Sequence, residues 1–387
     1  MLHFHITTYP YLAWALAGSL AIYLWTRPSA RSLAGTALIG AGVAFVYGIV
    51  KGGALLGASL AFLGLGSLGS LGLAAVWSGP SQRQASLDTC LTASMFPLFL
   101  IVSGFSLAVT SIVHPKTYDL FLYAFDERLG LQPSFLVGRL FGRFGALRQL
   151  CYFGYEVLPL AMAVAFALER SAPRRHASSI VLAFTVAAAG GFLLYNVYPA
   201  VGPVHVFGAQ FPYSHPAAGL PPFRLVAAEA APRNAMPSVH IAMALLILWN
   251  SRRWPGVCRA VAGALLAVTV LATLGFGEHY LADLCVAVPF ALLAQGLAAN
   301  GLPWQNRTRL ACVGTGGLAV LAWLAYLRLP SPPLAGSGVL AWVLLFGTAV
   351  ASIVLESRLY RAVVQAGVLA PNWVSEGEYA ERLPAPG

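Results

Sequence analysis

Long apolar runs separated by short polar breaks make up nearly the whole chain. They fall at about 9–26, 33–50, 53–77, 89–113, 151–168, 178–199, 236–250, 257–276, 279–298, 310–327 and 337–355. At a rise of about 1.5 Å per residue, a helix of roughly 20 apolar residues crosses the hydrocarbon core of a bilayer. Helices also satisfy their own backbone donors and acceptors there. The pattern therefore predicts an all-α, multi-pass transmembrane helical bundle of about eleven spans. The run at 236–250 is short, and the three glycine-rich runs before residue 80 leave room for a merged or re-entrant segment, so ten or twelve spans fit too. Four stretches follow: N-terminal transmembrane helices (1–88), a core (89–300), C-terminal transmembrane helices (301–356) and a cytoplasmic tail (357–387).

Composition agrees with the pattern. Of 387 residues, 58% are hydrophobic and only 9% charged, against roughly 25% charged in soluble globular chains. The start, Met1-Leu2-His3-Phe4-His5, lacks the basic region of a cleavable signal peptide, so the first run is expected to be retained as a span. The net charge of +10 does not point to nucleic acid, because the arginines sit mostly in short breaks between the spans, on every other break. Arg27 and Arg31, Arg83, Arg170 with Arg174 and Arg175, Arg252 and Arg253, Arg307 and Arg309, and Arg358 and Arg361 mark cytoplasmic breaks. The N-terminus is then outside and the C-terminus inside. The stretch 114–150 dissents, with Lys116, Arg128, Arg139, Arg143 and Arg148 on the outer side. Its pattern predicts interfacial amphipathic helices, serving as a lipid-surface anchor or as a wall of a site. The five cysteines have no CxxC spacing and read as small buried hydrophobes.

Polar residues are rare here, so those at span ends call for a reason. Burying an ionisable group in a membrane costs several kcal/mol unless something pairs or uses it, roughly 2.5 or more by insertion scales. Two clusters stand at outward-facing ends: Asn234-Ala235-Met236-Pro237-Ser238-Val239-His240 and Gly277-Glu278-His279-Tyr280-Leu281-Ala282-Asp283. His279 and Asp283 share one helical face at i and i+4, so the carboxylate can hold one imidazole nitrogen and leave the other basic and nucleophilic. His240 starts a different span on the same side. Ser238 and the backbone N–H groups beside it point where an anion could sit. A nucleophilic His, an orienting Asp and a second His for proton transfer suit phosphoryl transfer through a phosphohistidine, with no metal and no cofactor required. Glu156, inside a span, is expected to pair with a polar neighbour. The proline-studded loop from Ala200 to Arg233 joins two spans at the site and reads as functional.

At these residues the chain resembles the type-2 phosphatidic acid phosphatase superfamily. Met-Pro-Ser-Val-His at 236–240 is similar to its Pro-Ser-x-His motif, and Gly277-x-His279 through Asp283 is similar to the later half of its third motif. His-Tyr-x-x-Asp-Leu at 279–284 looks most like the inositol phosphorylceramide and sphingomyelin synthase branch. The resemblance implies a six-helix phosphatidic acid phosphatase-like core within 89–300. It also implies His279 as nucleophile, Asp283 as its orienter and His240 as the acid on the leaving oxygen. Two departures stand out: Ala272-Thr273 occupy the place of a Ser-Arg pair, and the first motif fits by spacing only at Tyr195, Gly202 and Pro203, without its basic residues. The basic phosphate clamp is thus missing. Arg224 and Arg233 are the available substitutes, with Ser238 and Tyr195 as further phosphate-binding candidates.

The expected activity is transfer of a phosphoinositol-like head group between lipids on the outer face of a cell membrane. Alternatives are a lipid phosphate or polyprenyl pyrophosphate phosphatase, a proton-coupled transporter, and a metal site on His240, His279 and Asp283. The transporter would place ionisable groups near the midplane of several spans, whereas these cluster at one surface. Expected partners are lipid substrates and the bilayer.

Overall fold

The structure, a computed structural model, describes residues 10–51, 59–171, 179–214, 224–228, 231–329 and 338–369. At its centre runs α13 (Leu281–Leu297), which has almost every side chain from Ala282 to Gly296 buried. Around it pack α9 (Ile180–Val197), α11 (Val239–Asn250), α14 (Arg307–Leu327) and α15 (Gly338–Leu369). The short helix α5 (Asp119–Arg128) closes over the N-terminal end of α13. Flanking these, α12 (Gly256–Gly275) packs on α11, on α6 (Pro133–Arg143) and on α7 (Gly145–Glu156). The N-terminal helices α1 (Pro10–Trp25), α2 (Ala30–Lys51) and α3 (Ser59–Trp77) form a group of their own. It joins the rest through α4 (Pro80–Val113) and α8 (Leu158–Ser171). A five-residue helix, α10 (Pro203–Phe207), and a two-residue antiparallel pairing of Lys116–Thr117 with Val226–Ala227 complete the described elements.

Each of the eleven apolar runs is helical where it is described, the run at 151–168 as two helices. Among the described residues, seven are long and apolar enough to cross a membrane, or eight if α7 and α8 form one span bent by 51°. The other three, α1, α11 and α13, have 16, 12 and 17 residues. Apolar side chains such as Leu38, Leu91, Ile112, Val257, Leu318 and Val339 face outward and are exposed, as lipid-facing positions of a multi-pass membrane protein are. Three boundaries move. α4 starts at Pro80, so the 88/89 division falls inside it: the polar stretch Ser81–Thr89 extends the helix beyond its apolar part. The run at 151–168 is broken between α7 and α8. At the C-terminal end α15 continues to Leu369, past the 356/357 division, because Arg358, Tyr360 and Arg361 lie on a helix packed against the α11–α12 turn; residues from 370 lie outside the described ones.

Of the arginines expected on one side, Arg252, Arg253 and Arg309 lie at the end of the bundle opposite His279. Arg252 pairs with buried Glu356 at 2.6 Å and stands with Arg253 over the ring of Tyr360. Arg309, 3% exposed, donates to the carbonyls of Gly296 (3.1 Å), Leu297 (3.0 Å) and Leu302 (2.5 Å) and lies 3.8 Å over Trp304. It thereby closes the C-terminal end of α13, where helical carbonyls have no partner of their own. At the same end Glu169 accepts from the N–H of Ile180 and caps α9. Arg309→Met keeps the stem and removes the donors. It is expected to cost about 2–4 kcal/mol through orphaned carbonyls while leaving turnover per folded molecule intact. Thermal unfolding in detergent checks this, and an unchanged midpoint would refute the role given to Arg309.

Candidate active site

The α12–α13 turn carries His279. Gly277, at φ 75°, makes the reversal, and the N–H groups of Glu278 and His279 return to Thr273 O. Facing this turn, Gly202 has φ 92°, and a Cβ there would collide with the carbonyl of Glu278. Only glycine tolerates both the conformation and the approach.

The backbone donors at the start of α13 are taken up by carboxyl groups. Asp126 of α5 accepts from Leu281 N (2.8 Å) and Ala282 N (3.2 Å), and Asp283 Oδ2 accepts from Tyr280 N (2.8 Å). A second acid of α5, Asp119, accepts from Val201 N (3.2 and 3.1 Å) and Gly202 N (2.8 Å), fixing the neighbouring loop. Burial pushes the Asp119 carboxyl up to about 6 and that of Asp126 up to about 8, with the backbone donors pulling the other way in both. Ser134 of α6 donates to the carbonyl of His279 at 2.6 Å.

The imidazole of His279 is 2% exposed. Its Nδ1 lies 2.9 Å from Ala235 O and 3.5 Å from Asp283 Oδ2, while Nε2 lies 3.2 Å from Ser238 Oγ. The nearer acceptor for the Nδ1 proton is thus a backbone carbonyl, with Asp283 behind it. Asp283 spends Oδ2 on the Tyr280 N–H, and its Oδ1 is buried without a hydrogen-bond partner among the described residues. With Nδ1 as donor, Nε2 carries the acceptor lone pair, which faces the Ser238 hydroxyl. Ser238 caps α11 through Ile241 N (3.5 Å), and its N–H donates to Asp283 O (3.3 Å), so the 234–240 and 279–283 segments are zipped together.

His240, in the first turn of α11, stacks on Tyr155 with ring centroids 4.4 Å apart at 24°. Its Nδ1 lies 3.4 Å from the Tyr155 hydroxyl. Tyr11 flanks both rings, and the centroids of His240 and His279 are 6.5 Å apart, close enough to touch one phosphoryl group between them. At the half-exposed lip His205 pairs with Glu278 at 3.6 Å.

The phosphate-binding candidates separate. Ser238 is in place beside Nε2. Tyr195, 5% exposed, receives the Val239 N–H on its hydroxyl and so braces the start of α11 from behind. Arg233 is 1% exposed, and its guanidinium donates to His114 O (2.8 Å), Ala231 O (2.8 Å) and Ala228 O (3.5 Å). The carbonyls of a tightly turned loop end needed donors, and the buried arginine supplies them. Arg224 is exposed, next to residues outside the described ones. Glu156 is buried with Oε2 unpartnered among the described residues, where pairing was expected. Among the described residues no group of three His, Cys, Asp or Glu is placed to hold a metal ion.

Sequence reasoning missed Asp119, Asp126, Ser134, Tyr11 and Tyr155. For the two acids a signal existed: they stand seven residues apart in an apolar helix, the same anomaly that marked the histidines. Asp126 also carries a pH prediction. Its folded value of about 8 exceeds the ordinary carboxyl value of about 4, so the native state holds a proton that the unfolded chain has released. Its contribution to stability is full below about 4 and is lost as pH rises to about 8. Asp126→Asn lacks this slope, so its melting temperature relative to the parent protein should improve between pH 5 and pH 8; parallel curves would refute it.

A family model described as the PAP2 superfamily matches residues 120–297, a little under half of the chain. No curated protein and no solved structure matches. The matched segment starts in the first turn of α5, ends on the last residue of α13 and contains His240, His279, Asp283 and the two carboxyl groups' partners: it is the part of this chain that carries the PAP2 superfamily pattern.

Proposed function

We propose that the protein is a membrane-embedded lipid phosphotransferase working through a phosphohistidine. PAP2 superfamily members are typically phosphatases or phosphotransferases. The observation that carries the reading is the setting of His279: Nδ1 is held at 2.9 Å by Ala235 O, and Nε2 faces Ser238 at the start of α11. The lone pair of Nε2 attacks phosphorus, and the bond from phosphorus to the lipid oxygen breaks. His240, charged when the anionic phosphate is bound beside it, gives that proton to the leaving oxygen and becomes neutral. A lipid alcohol then attacks the phosphohistidine, returns a proton to His240 and frees His279. Ala235 O and Asp283 stabilise the imidazolium in between. The Ser238 hydroxyl and nearby backbone N–H groups of α11 meet the phosphoryl oxygens, as helix N-termini do. What supports transfer over hydrolysis is the burial of His279, which limits water. The head group is read as a phosphoryl-alcohol of the phosphoinositol type, from the His-Tyr-x-x-Asp-Leu pattern.

His279→Ala should abolish both turnover and an acid-labile phosphoenzyme. His240→Ala should be partly rescued by a nitrophenyl leaving group, which needs no acid. Because a carbonyl already holds Nδ1, Asp283→Asn should cost on the order of 10–100-fold, the scale of an outer-shell partner. That is well short of the roughly 10⁴-fold loss where the carboxylate alone sets the tautomer. The group appearing on an added lipid alcohol means transferase; free phosphate or phospho-alcohol alone means phosphatase. The run Ser238–His279–Asp283, at 3.2 and 3.5 Å, also permits Ser238 as nucleophile with His279 as its base. An acid-stable phosphoenzyme lost in Ser238→Ala would select that reading.

The site end is proposed to face outward, from the arginines at the other end. In a background without native cysteines, a cysteine at Pro232 should react with an impermeant reagent from outside, and one at Arg31 should not; both positions are exposed. The reverse pattern would overturn the orientation.

A further inference from the structure

The inner faces of α6 and α7 hold the site: Ser134 bonds the His279 carbonyl, and Tyr155 stacks on His240. Phe141 packs on Phe276 at the end of α12, which places α6 at the rim of the bundle where the spans end. The outer faces are of another kind. Leu136, Leu140, Phe144, Leu150 and Phe153 are exposed there. Among them stand Arg143 and Arg148, also exposed, and half-buried Arg139. No acidic residue occurs between Leu129 and Tyr155. The positive-inside trend does not explain these arginines, since they sit at the end opposite the other arginine clusters. Nor does packing explain Arg143 and Arg148, which are exposed.

We infer that the outer face of α6–α7 binds anionic lipid head groups of the leaflet on the site's side and holds them beside the two histidines. The apolar side chains enter the acyl region while the arginines reach up to phosphate level along their own stems. The observation that commits this surface to lipid is the pairing of exposed Arg143 and Arg148 with an apolar stripe at the level where the spans end. A soluble anion would need the charge without the stripe. The surface stands without the reaction; its use in feeding an anionic phospholipid to His279 rests on the function proposed above.

The test uses the full-length protein in neutral detergent doped with phosphatidylglycerol or phosphatidylcholine, with retained lipid counted by native mass spectrometry. Wild type should retain phosphatidylglycerol in preference, and so should His279→Ala, since retention needs no turnover. A failure of the proposed chemistry would therefore leave this readout standing. The double variant Arg143→Gln, Arg148→Gln should lose about fivefold in that preference per arginine removed, the usual worth of one basic residue near an anionic surface. Arg143→Lys with Arg148→Lys should keep it, and stays informative if the glutamine variant fails to fold. Unchanged preference in the glutamine variant overturns the inference, as does equal loss in the lysine variant. Displacement of the lipid by inorganic phosphate also overturns it, because the surface would then be an anion site and not a lipid face.

Discussion

Everything at the site depends on how the first N–H groups of α13 are satisfied. A helix leaves its first turn of donors unpaired, and a helix starting inside a bundle finds no water to fill them. Here Leu281 and Ala282 give theirs to Asp126, and Tyr280 gives its own to Asp283. Meeting that need pulls α5 into the interior, sets the direction in which α13 enters the bundle and thereby fixes where His279 stands. Asp119 repeats the device on the Val201–Gly202 turn, whose neighbour Ala200 accepts from Ala235, the residue whose carbonyl holds Nδ1 of His279. The His279 ring is therefore oriented by a chain of backbone bonds anchored on two carboxyl groups of one ten-residue helix.

This arrangement redistributes roles between neighbouring residues of like chemistry. Asp283 serves two partners at once, the Tyr280 N–H and the imidazole, so its hold on the ring is shared with a carbonyl that carries no full charge. Arg233 shows the same competition from the other side. A buried guanidinium needs acceptors, and the end of the 200–233 connection offers the carbonyls of Ala228 and Ala231 while the end of α4 offers that of His114. Once those bonds form, the charge is committed to folding the loop onto α4, and the proposed phosphate contacts are the neutral donors at the start of α11.

How much of this the sequence discloses follows from the range of each interaction. The all-helical, membrane-spanning architecture is legible because apolar runs state it residue by residue. The closeness of His279 and Asp283 is legible because i and i+4 share a face of one helix. Ala235 O, Ser134, Tyr11 and Tyr155 are not, because each arrives from a distant element through a contact that no spacing encodes. The stretch 114–150 shows the boundary most clearly. Its pattern allows a membrane anchor or a site wall; the structure divides it, with α5 buried as a wall and α6–α7 amphipathic at the rim. Span ends in α4 and α15 moved for a different reason. A helix runs on through polar residues wherever its backbone bonds continue, so hydropathy marks what a membrane would cover and not where the helix stops.

The two histidines differ in what holds them, and the difference matches the work proposed for each. His279 is gripped at both ring nitrogens by a turn that is itself pinned to α13, so its ring can move little as phosphorus approaches. A nucleophile gains most from such fixity, because near-attack geometry is where positioning contributes to rate. His240 is held by a flat stack on Tyr155 and one long bond at Nδ1. A stacked ring can tilt or slide in its plane at small cost, which lets the same group give a proton to one lipid oxygen and then take one from another at a slightly different position. A rigid base beside a yielding one is the combination that a two-step exchange between bulky lipid alcohols needs. In hydrolysis the second oxygen belongs to water, which can reposition itself, and the yielding partner would bring little.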